Sequence, residues 1–271
     1  MKGLSSQLED TGLEVIDLQE YSAFAERCLH VRDVAAQVEG LRRLTRAFVE
    51  DPDNILQELV NAAIDFCGAE SAGISIEQEH GTDTNFYQWV ATAGNYAGFL
   101  NATLPRYPSA CGICLERDRP QLFRVSQKFF DIMGVEAPVV TDGILLPWHA
   151  DETRGTIWIM AHERAEAFDR EDVRMMQVFA DFAAMAVRHQ RQQRSLVAQA
   201  SGAAAMAMAN DLAHQINNPL QSLTNLVYLA TQGKSGDDAK LLGVQLSEEL
   251  QRLSFLVAKL LAIPGDAARA R

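Results

Sequence analysis

One stretch of this chain combines side chains that could do chemistry at a spacing that exposes them: Leu212-Ala213-His214-Gln215-Ile216-Asn217-Asn218-Pro219-Leu220. Ala213 belongs to an apolar seam, so His214, one position on, should sit at the flank of a helix bundle with its imidazole in solvent. Asn218 follows one helical turn later on the same face. Pro219 inside so strong a helical pattern costs about 3 kcal/mol or more and leaves the Gln215 carbonyl without its normal donor. A kinked helix beside an exposed histidine suits a site that flexes while it meets a partner. A second candidate is the lone C-x-x-C of Cys111 and Cys114. Zinc would require two further soft ligands at comparable spacing, and no second pair follows. No metal site is therefore expected, and a redox role stays open. Haem ligation through His149 or His162 is a further reading, although a lone histidine at a strand edge is more often structural.

The elements that must position these groups can be read from periodicity. Ala209, Ala213, Ile216, Leu220, Leu223, Val227 and Ala230 alternate in steps of four and three, a heptad seam. After a turn at Gly233–Asp237, Leu246, Leu250, Leu253, Val257 and Leu260 repeat that rhythm. Two such helices bury too little alone, so a dimeric four-helix bundle is expected. Upstream, Phe168-Asp169-Arg170-Glu171-Asp172 opens a long helix, with Asp169 as N-cap and Asp172 completing a box. No proline interrupts the chain between Pro147 and Pro219, which allows a helical stalk; Ser201-Gly202 is its softest point.

Earlier still, Val34, Val38, Leu41, Leu44 and Phe48 recur at helical spacing, and Asp53 could cap a second helix that ends at Gly68. The period then shortens. Residues 71–76 and 86–91 read as a strand pair around a polar turn at 79–84, and 139–147 and 155–162 as further strands. Residues 101–124 read as loop with an embedded short helix or turn. Residues 1–20 are polar and patternless, a frayed lead-in. The order of two helices, strands, a loop-rich stretch, more strands and a closing helix predicts an antiparallel sheet with helices on one face.

The 271 residues suffice for one ordinary domain and a smaller second one. Residues 201–271 hold six basic and six acidic side chains, so the net charge of −12 falls entirely on the first 200. That surface would repel phosphates, which argues against nucleic acid as a partner. No run of 18 apolar residues is present, so no membrane span is expected; the first residues lack the apolar core of a secretory signal. The expected location is the cytoplasm.

The segment around His214 resembles the H-box in the dimerisation and phosphoacceptor domain of sensor histidine kinases, whose pattern is His, an acid, an apolar residue, a polar residue, Thr or Asn, then Pro-Leu. The resemblance covers about residues 200–262. It implies that His214 accepts a phosphoryl group through a ring nitrogen and that Asn218 orients a water to remove phosphate from a partner's aspartate. Gln215 departs from the pattern: an amide stands where the family's acid polarises the imidazole, which should weaken kinase-type transfer. Only 57 residues follow His214, too few for that family's ATP-binding domain, and no G-x-G is present. The chain alone is expected not to label itself from ATP.

Pro105–Gly112, Leu115–Phe123, Gly155–His162 and Phe168–Asp172, taken as a set, resemble a GAF domain of bacterial sensor kinases over about residues 35–190. Such domains use the sheet face opposite the helices as a ligand pocket, which by position should involve Phe86, Trp89, Ser109, Cys111, Leu122 and Trp158. Ordinary core is the competing reading for each aromatic. Bilin attachment in related photoreceptors uses Cys-His, whereas Gly112 follows Cys111, so no covalent chromophore is expected. The cofactor is left as an unknown small molecule.

The fold class expected is thus an α+β GAF domain followed by an all-α hairpin. Its parts are a lead-in (1–31), a sensory domain ending in a signalling helix (32–190), a helical linker (191–202), the phosphoacceptor hairpin (203–262) and a tail (263–271). The expected function is a phosphorelay component. It would act as a homodimer, with a response-regulator receiver domain or a partner histidine kinase opposite His214. A non-catalytic scaffold is the alternative. Less favoured is a GAF thiol reductase acting on free methionine sulfoxide through Cys111 and Cys114.

Overall fold

The computed structural model describes residues 11–29, 34–231 and 237–261, and the chain divides into two units, Met1–Arg191 and Gln192–Arg271. In chain order the first unit holds β1 (Leu13–Asp17), α1 (Ser22–Ala25), α2 (Val34–Glu50), α3 (Ile55–Cys67), β2 (Ser71–Glu77) and β3 (Tyr87–Gly94). There follow a 3-10 turn (Ala97–Phe99), β4 (Thr103–Leu104), α4 (Ala110–Arg117), β5 (Gln121–Val125), α5 (Gln127–Met133), β6 (Val140–Ala150) and β7 (Thr153–Ala161). The long α6 (Arg170–Thr231) contributes to both units, and α7 (Asp237–Leu261) belongs to the second.

The strands form one seven-stranded sheet in the order β1-β5-β6-β7-β2-β3-β4, every neighbouring pair antiparallel. Both faces are covered, which is why β7 reads as a continuous apolar run. Alternation still sorts it: Ile157 and Ile159 join Ile144 and Leu146 in the core against α3 and α6, with Leu59, Met176 and Phe179. Trp158 and Met160 join Leu145 in the core on the other face, under α5 and the start of α4. The expected single layer of helices therefore covers one face, while the loop-rich region supplies two short helices to the other. The second of these, α5, is bracketed by Ser126 at its N-cap and by Gly134 in the left-handed conformation (φ 65°).

Three glycines make room for aromatic rings across the sheet. Gly73 is paired with Trp158, Gly143 with Phe123 and Gly155 with Trp148. A methyl group built on any of them would lie 2.6 Å or less from the partner's ring. A ring lying over a cross-strand glycine packs where no other side chain could stand.

Helix ends follow local chemistry. Gly68 closes α3 in the left-handed region (φ 59°), its N–H bonding the Ile64 carbonyl. The N-cap of α3 is Asn54, not the expected Asp53, and it makes no side-chain cap bond. At the start of α6 the expected box is present: Asp172 N–H donates to Asp169 Oδ1 at 3.3 Å, and Asp169 N–H donates to Asp172 Oδ2 at 2.9 Å.

The lead-in expectation needs correction for residues 13–29. β1 is an edge strand, paired with β5 from Leu13↔Val125 to Asp17↔Gln121. Arg27 then reaches the sheet, donating to Asp142 Oδ2 at 2.8 Å and to the Phe168 carbonyl at 3.0 Å. Both side chains are buried, so removing either leaves a buried charge with only a looser partner, Glu166 at 3.9 Å from Arg27 or Arg124 at 4.0 Å from Asp142, at a cost of up to about 3–5 kcal/mol. Leu29 N–H bonds Asp169 Oδ2, which ties the segment to the α6 cap. The loop reading of 121–124 also gives way, since β5 begins there.

In the second unit α6 stays helical through Ser201-Gly202 and through Pro219. The expected turn at 233–237 lies outside the described residues except for Asp237. Along the second-unit part of α6 the sheltered positions are 202, 205, 209, 212, 216, 219, 222, 223 and 226, and along α7 they are 242, 246, 249, 253 and 256. Apart from 222, both sets step by three and four. The expected seam is therefore split: Ala213, Leu220, Val227, Leu250 and Val257 are exposed in the single chain, one position beside the stripe that is covered.

Candidate functional site

The aromatic core opposite α3 and α6 contains a cavity of about 70 Å³. β3 supplies Trp89 and β7 supplies Trp158, on neighbouring sides of β2, with ring centroids 4.9 Å apart. Tyr96, beyond the end of β3, stacks on Trp89 at 5.8 Å. Phe123 from β5 and Phe129 and Phe130 from α5 close the other side. Ser109 and Cys111 form the rim, where Ser109 caps α4 by accepting from Gly112 N–H at 3.4 Å.

Trp89, Ser109, Cys111 and Trp158 thus stand around one cavity, whereas Phe86 and Leu122 do not. Leu122 is on the helix side of the sheet; its neighbour Phe123 faces the cavity, because adjacent residues of a strand point to opposite faces. Phe86 precedes β3 and packs against Tyr87, with the Arg106 guanidinium 4.9 Å over its ring. Arg106 lines a separate polar cleft of about 330 Å³ with Asp83, Ser109 and Glu116. The sequence reading missed Tyr96, Phe123, Phe129 and Phe130. For the last two, the Ser126 and Gly134 brackets of α5 were the available signal.

The cysteines are both buried and free. Burial pushes the Cys111 thiol up, opposed by hydroxyl donors: Thr156 Oγ1 lies 3.2 Å and Ser75 Oγ 3.6 Å from its sulfur. Cys114 is raised further, by burial and by its proximity to Cys111 and Asp118, and its thiol faces the Arg119 and Leu145 carbonyls. Reductase chemistry needs an accessible, low-pKa thiolate. These thiols are held protonated and enclosed, which argues against that alternative.

The two histidines read as possible haem ligands both have other partners. His162 is buried and stacked on Tyr96 at 5.1 Å. Its Nδ1 lies 2.8 Å from the Val139 carbonyl and its Nε2 2.7 Å from Ser71 Oγ. A carbonyl only accepts, so Nδ1 carries the proton and Nε2 accepts from the serine hydroxyl. His149 is exposed and paired with Asp118 at 2.7 Å. Among the described residues no group of three or more His, Cys, Asp or Glu side chains could hold a metal.

The sequence profile of the GAF domain matches residues 49–188, the stretch that holds β2 to β7 and all of the cavity lining except Leu13. The chain belongs to the GAF domain family. This is a signalling sensor domain. Among solved structures, the GAF domain of an Acinetobacter phosphoenolpyruvate-protein phosphotransferase is 12% identical, with a TM-score of 0.47, covering 59% of this chain and 97% of that one. A phycoerythrobilin-bound GAF domain of a cyanobacterial phytochrome is 14% identical (TM-score 0.46; 60% and 100% covered). A Coxiella burnetii phosphotransferase GAF domain is 17% identical (TM-score 0.45; 60% and 99% covered). No curated protein matches the sequence.

In the second unit His214, Gln215, Asn217 and Asn218 are exposed on α6, while Leu212 and Pro219 are buried. Gln215 Nε2 donates to Asp211 Oδ2 at 2.7 Å. The Gln215 amide is thus itself held by an acid one turn earlier. Among the described residues no helix is long and apolar enough to cross a membrane.

Proposed function

We propose that this chain is a phosphorelay component in which the GAF domain controls the presentation of His214 to a partner receiver domain. The observation that carries the reading is the disposition of the H-box residues. His214 and Asn218 are exposed within one turn of each other on a helix whose flanking Leu212 and Pro219 are buried. An exposed imidazole can meet an aspartyl phosphate and take its phosphoryl group through a ring nitrogen, and the Asn218 amide is within reach of the same partner surface to orient water. Pro219 leaves the Gln215 carbonyl without a helical donor, which loosens the turn next to His214. The functional unit is a homodimer, since the exposed Leu220, Val227, Leu250 and Val257 continue the heptad rhythm of the covered stripe and a second copy would complete a four-helix bundle.

The test supplies a phosphorylated cognate receiver and follows its decay with wild type, His214→Ala and Asn218→Ala. Label should reach the wild type, and His214→Ala should receive none. Asn218→Ala should still accept label but remove phosphate from the receiver at least about tenfold more slowly. Gln215→Glu should speed transfer by restoring a carboxylate beside the imidazole. Equal decay with all variants and no label on His214 would replace this reading with that of a non-catalytic scaffold.

A further inference from the structure

We propose that residues 13–29 form a strap over the start of α6 and that Glu166 is its clasp, closing onto the vacant edge of the buried Arg27 guanidinium. The clasp is argued from the first unit alone. That α6 goes on to carry His214 makes it a regulatory device only under the relay reading.

The strap is held at both ends. β1 pairs with β5, and Leu29 N–H donates to Asp169 Oδ2 at 2.9 Å. The other oxygen of that carboxylate receives the Glu171 and Asp172 N–H groups in the first turn of α6. Between these ends Arg27 enters with its side chain 4% exposed and its guanidinium 5.0 Å over the Phe24 ring. Nη1 is fully used, by Asp142 Oδ2 at 2.8 Å and the Phe168 carbonyl at 3.0 Å. Nε and Nη2 are buried and have no hydrogen-bond acceptor among the described residues. Those two nitrogens form one edge of the planar guanidinium, whose parallel N–H bonds a carboxylate can fill with both oxygens. Buried charged donors are rarely left without an acceptor.

Glu166 stands within reach of that edge. Its Oε1 lies 3.9 Å from Nη2, about 1 Å beyond hydrogen-bond distance. Its side chain is 65% exposed, so turning inward disturbs little packing. The other acids around Arg27 are committed to the start of α6. Asp142 Oδ2 also receives the Phe168 N–H at 3.3 Å, and Asp169 and Asp172 accept from each other's N–H groups. Glu166 also occupies a left-handed backbone position (φ 53°), which glycine or asparagine adopts with less strain. A glutamate at such a position points to a use for its side chain. Closed, the clasp joins the strap to the loop between β7 and α6, just ahead of the first turn. Open, the strap rests on β1, Asp142, Phe168 and Asp169. The closed state therefore fixes the start of α6 more firmly than the open one.

Hydrogen exchange of the full chain reads the strap (13–29) and the first turn of α6 (170–174), with the β2–β3 pair as the control. Glu166→Gln, which keeps the size but removes the charge, should speed exchange in both segments about three- to tenfold and leave β2 and β3 unchanged. Glu166→Asn suits the backbone position better but is too short and uncharged. It should also speed exchange, whereas an idle Glu166 would make that variant neutral or slower. Arg27→Lys keeps a charge for Asp142 but has no second edge, so adding Glu166→Gln to it should change nothing further. The proposal is overturned if Glu166→Gln leaves exchange of the strap unaltered, or if its effect is as large beside Arg27→Lys as in the wild type. Should Arg27→Lys fail to fold, the two variants at the exposed Glu166 still decide. An unlabelled His214 would end the relay reading and leave the clasp intact; unaltered exchange in Glu166→Gln would end the clasp whatever His214 does.

Discussion

The two units use their apolar side chains in opposite ways. Among the described residues, all but two of the buried hydrophobic side chains, the exceptions being Leu212 and Leu256, belong to Met1–Arg191. There a sheet covered on both faces closes its own core. In Gln192–Arg271 the pattern reverses: Val227, Tyr228, Leu250, Phe255 and Val257 are between 40% and 67% exposed. A single hairpin has one contact face, whereas heptad-patterned helices carry an apolar stripe wider than one neighbour can cover. The contrast shows a first unit that covers its apolar side chains within one chain and a second that leaves many of its own exposed, which is why the proposed dimer is placed there.

The largest effect should come from attacking that difference directly. Leu250→Glu combined with Val257→Glu alters side chains that are exposed in the single chain, so the hairpin itself should survive. In the dimer each substitution forfeits about 1.5–3 kcal/mol of burial. Sedimentation equilibrium at micromolar concentration should show a wild-type dimer and a mutant monomer; a mutant that stays dimeric would break the comparison.

Phe179→Ala should act in the opposite manner. Phe179 is fully buried against Phe66, ring centroids 5.7 Å apart, and its loss should cost about 3–5 kcal/mol of stability in the first unit. Thermal melting should fall by the same amount at every protein concentration, because the residues packed around Phe179 come from its own chain. A concentration-dependent loss would mean that the first unit also depends on association.

The smallest effect concerns pH. Burial raises the Glu70 carboxyl. The His162 and Glu163 N–H groups and Arg164 outweigh that and hold it below its ordinary value of 4.5. A folded-state pKa below the unfolded one stabilises fully above 4.5 and is lost as the pH falls through the folded value. The wild-type melting temperature should therefore drop between about pH 6 and pH 3 more steeply than that of Glu70→Gln. Equal slopes would show that the loop joining β7 to α6 gains nothing from this carboxylate.

What the sequence alone determined was local. Asp169 and Asp172 announce the start of α6, because a carboxylate reaches N–H groups only two or three residues away. Gly68 announces the end of α3, because only a residue tolerant of positive φ closes a helix that way. The apolar runs of β2 and β7 mark strands buried on both sides. What the tertiary structure decided was parity and partnership. Leu122 and Phe123 are equally apolar, and a shift of one residue exchanges the faces of a strand. Only pairing with β1 and β6 assigns Phe123 to the cavity. In the same way, the heptads of α6 and α7 specify apolar stripes without saying which stripe meets the other helix of the hairpin. The Arg27–Asp142 pair spans 115 positions, and β1 finds β5 across a similar distance. Short polar segments carry no periodicity that could reveal such contacts; only the fold brings the partners together.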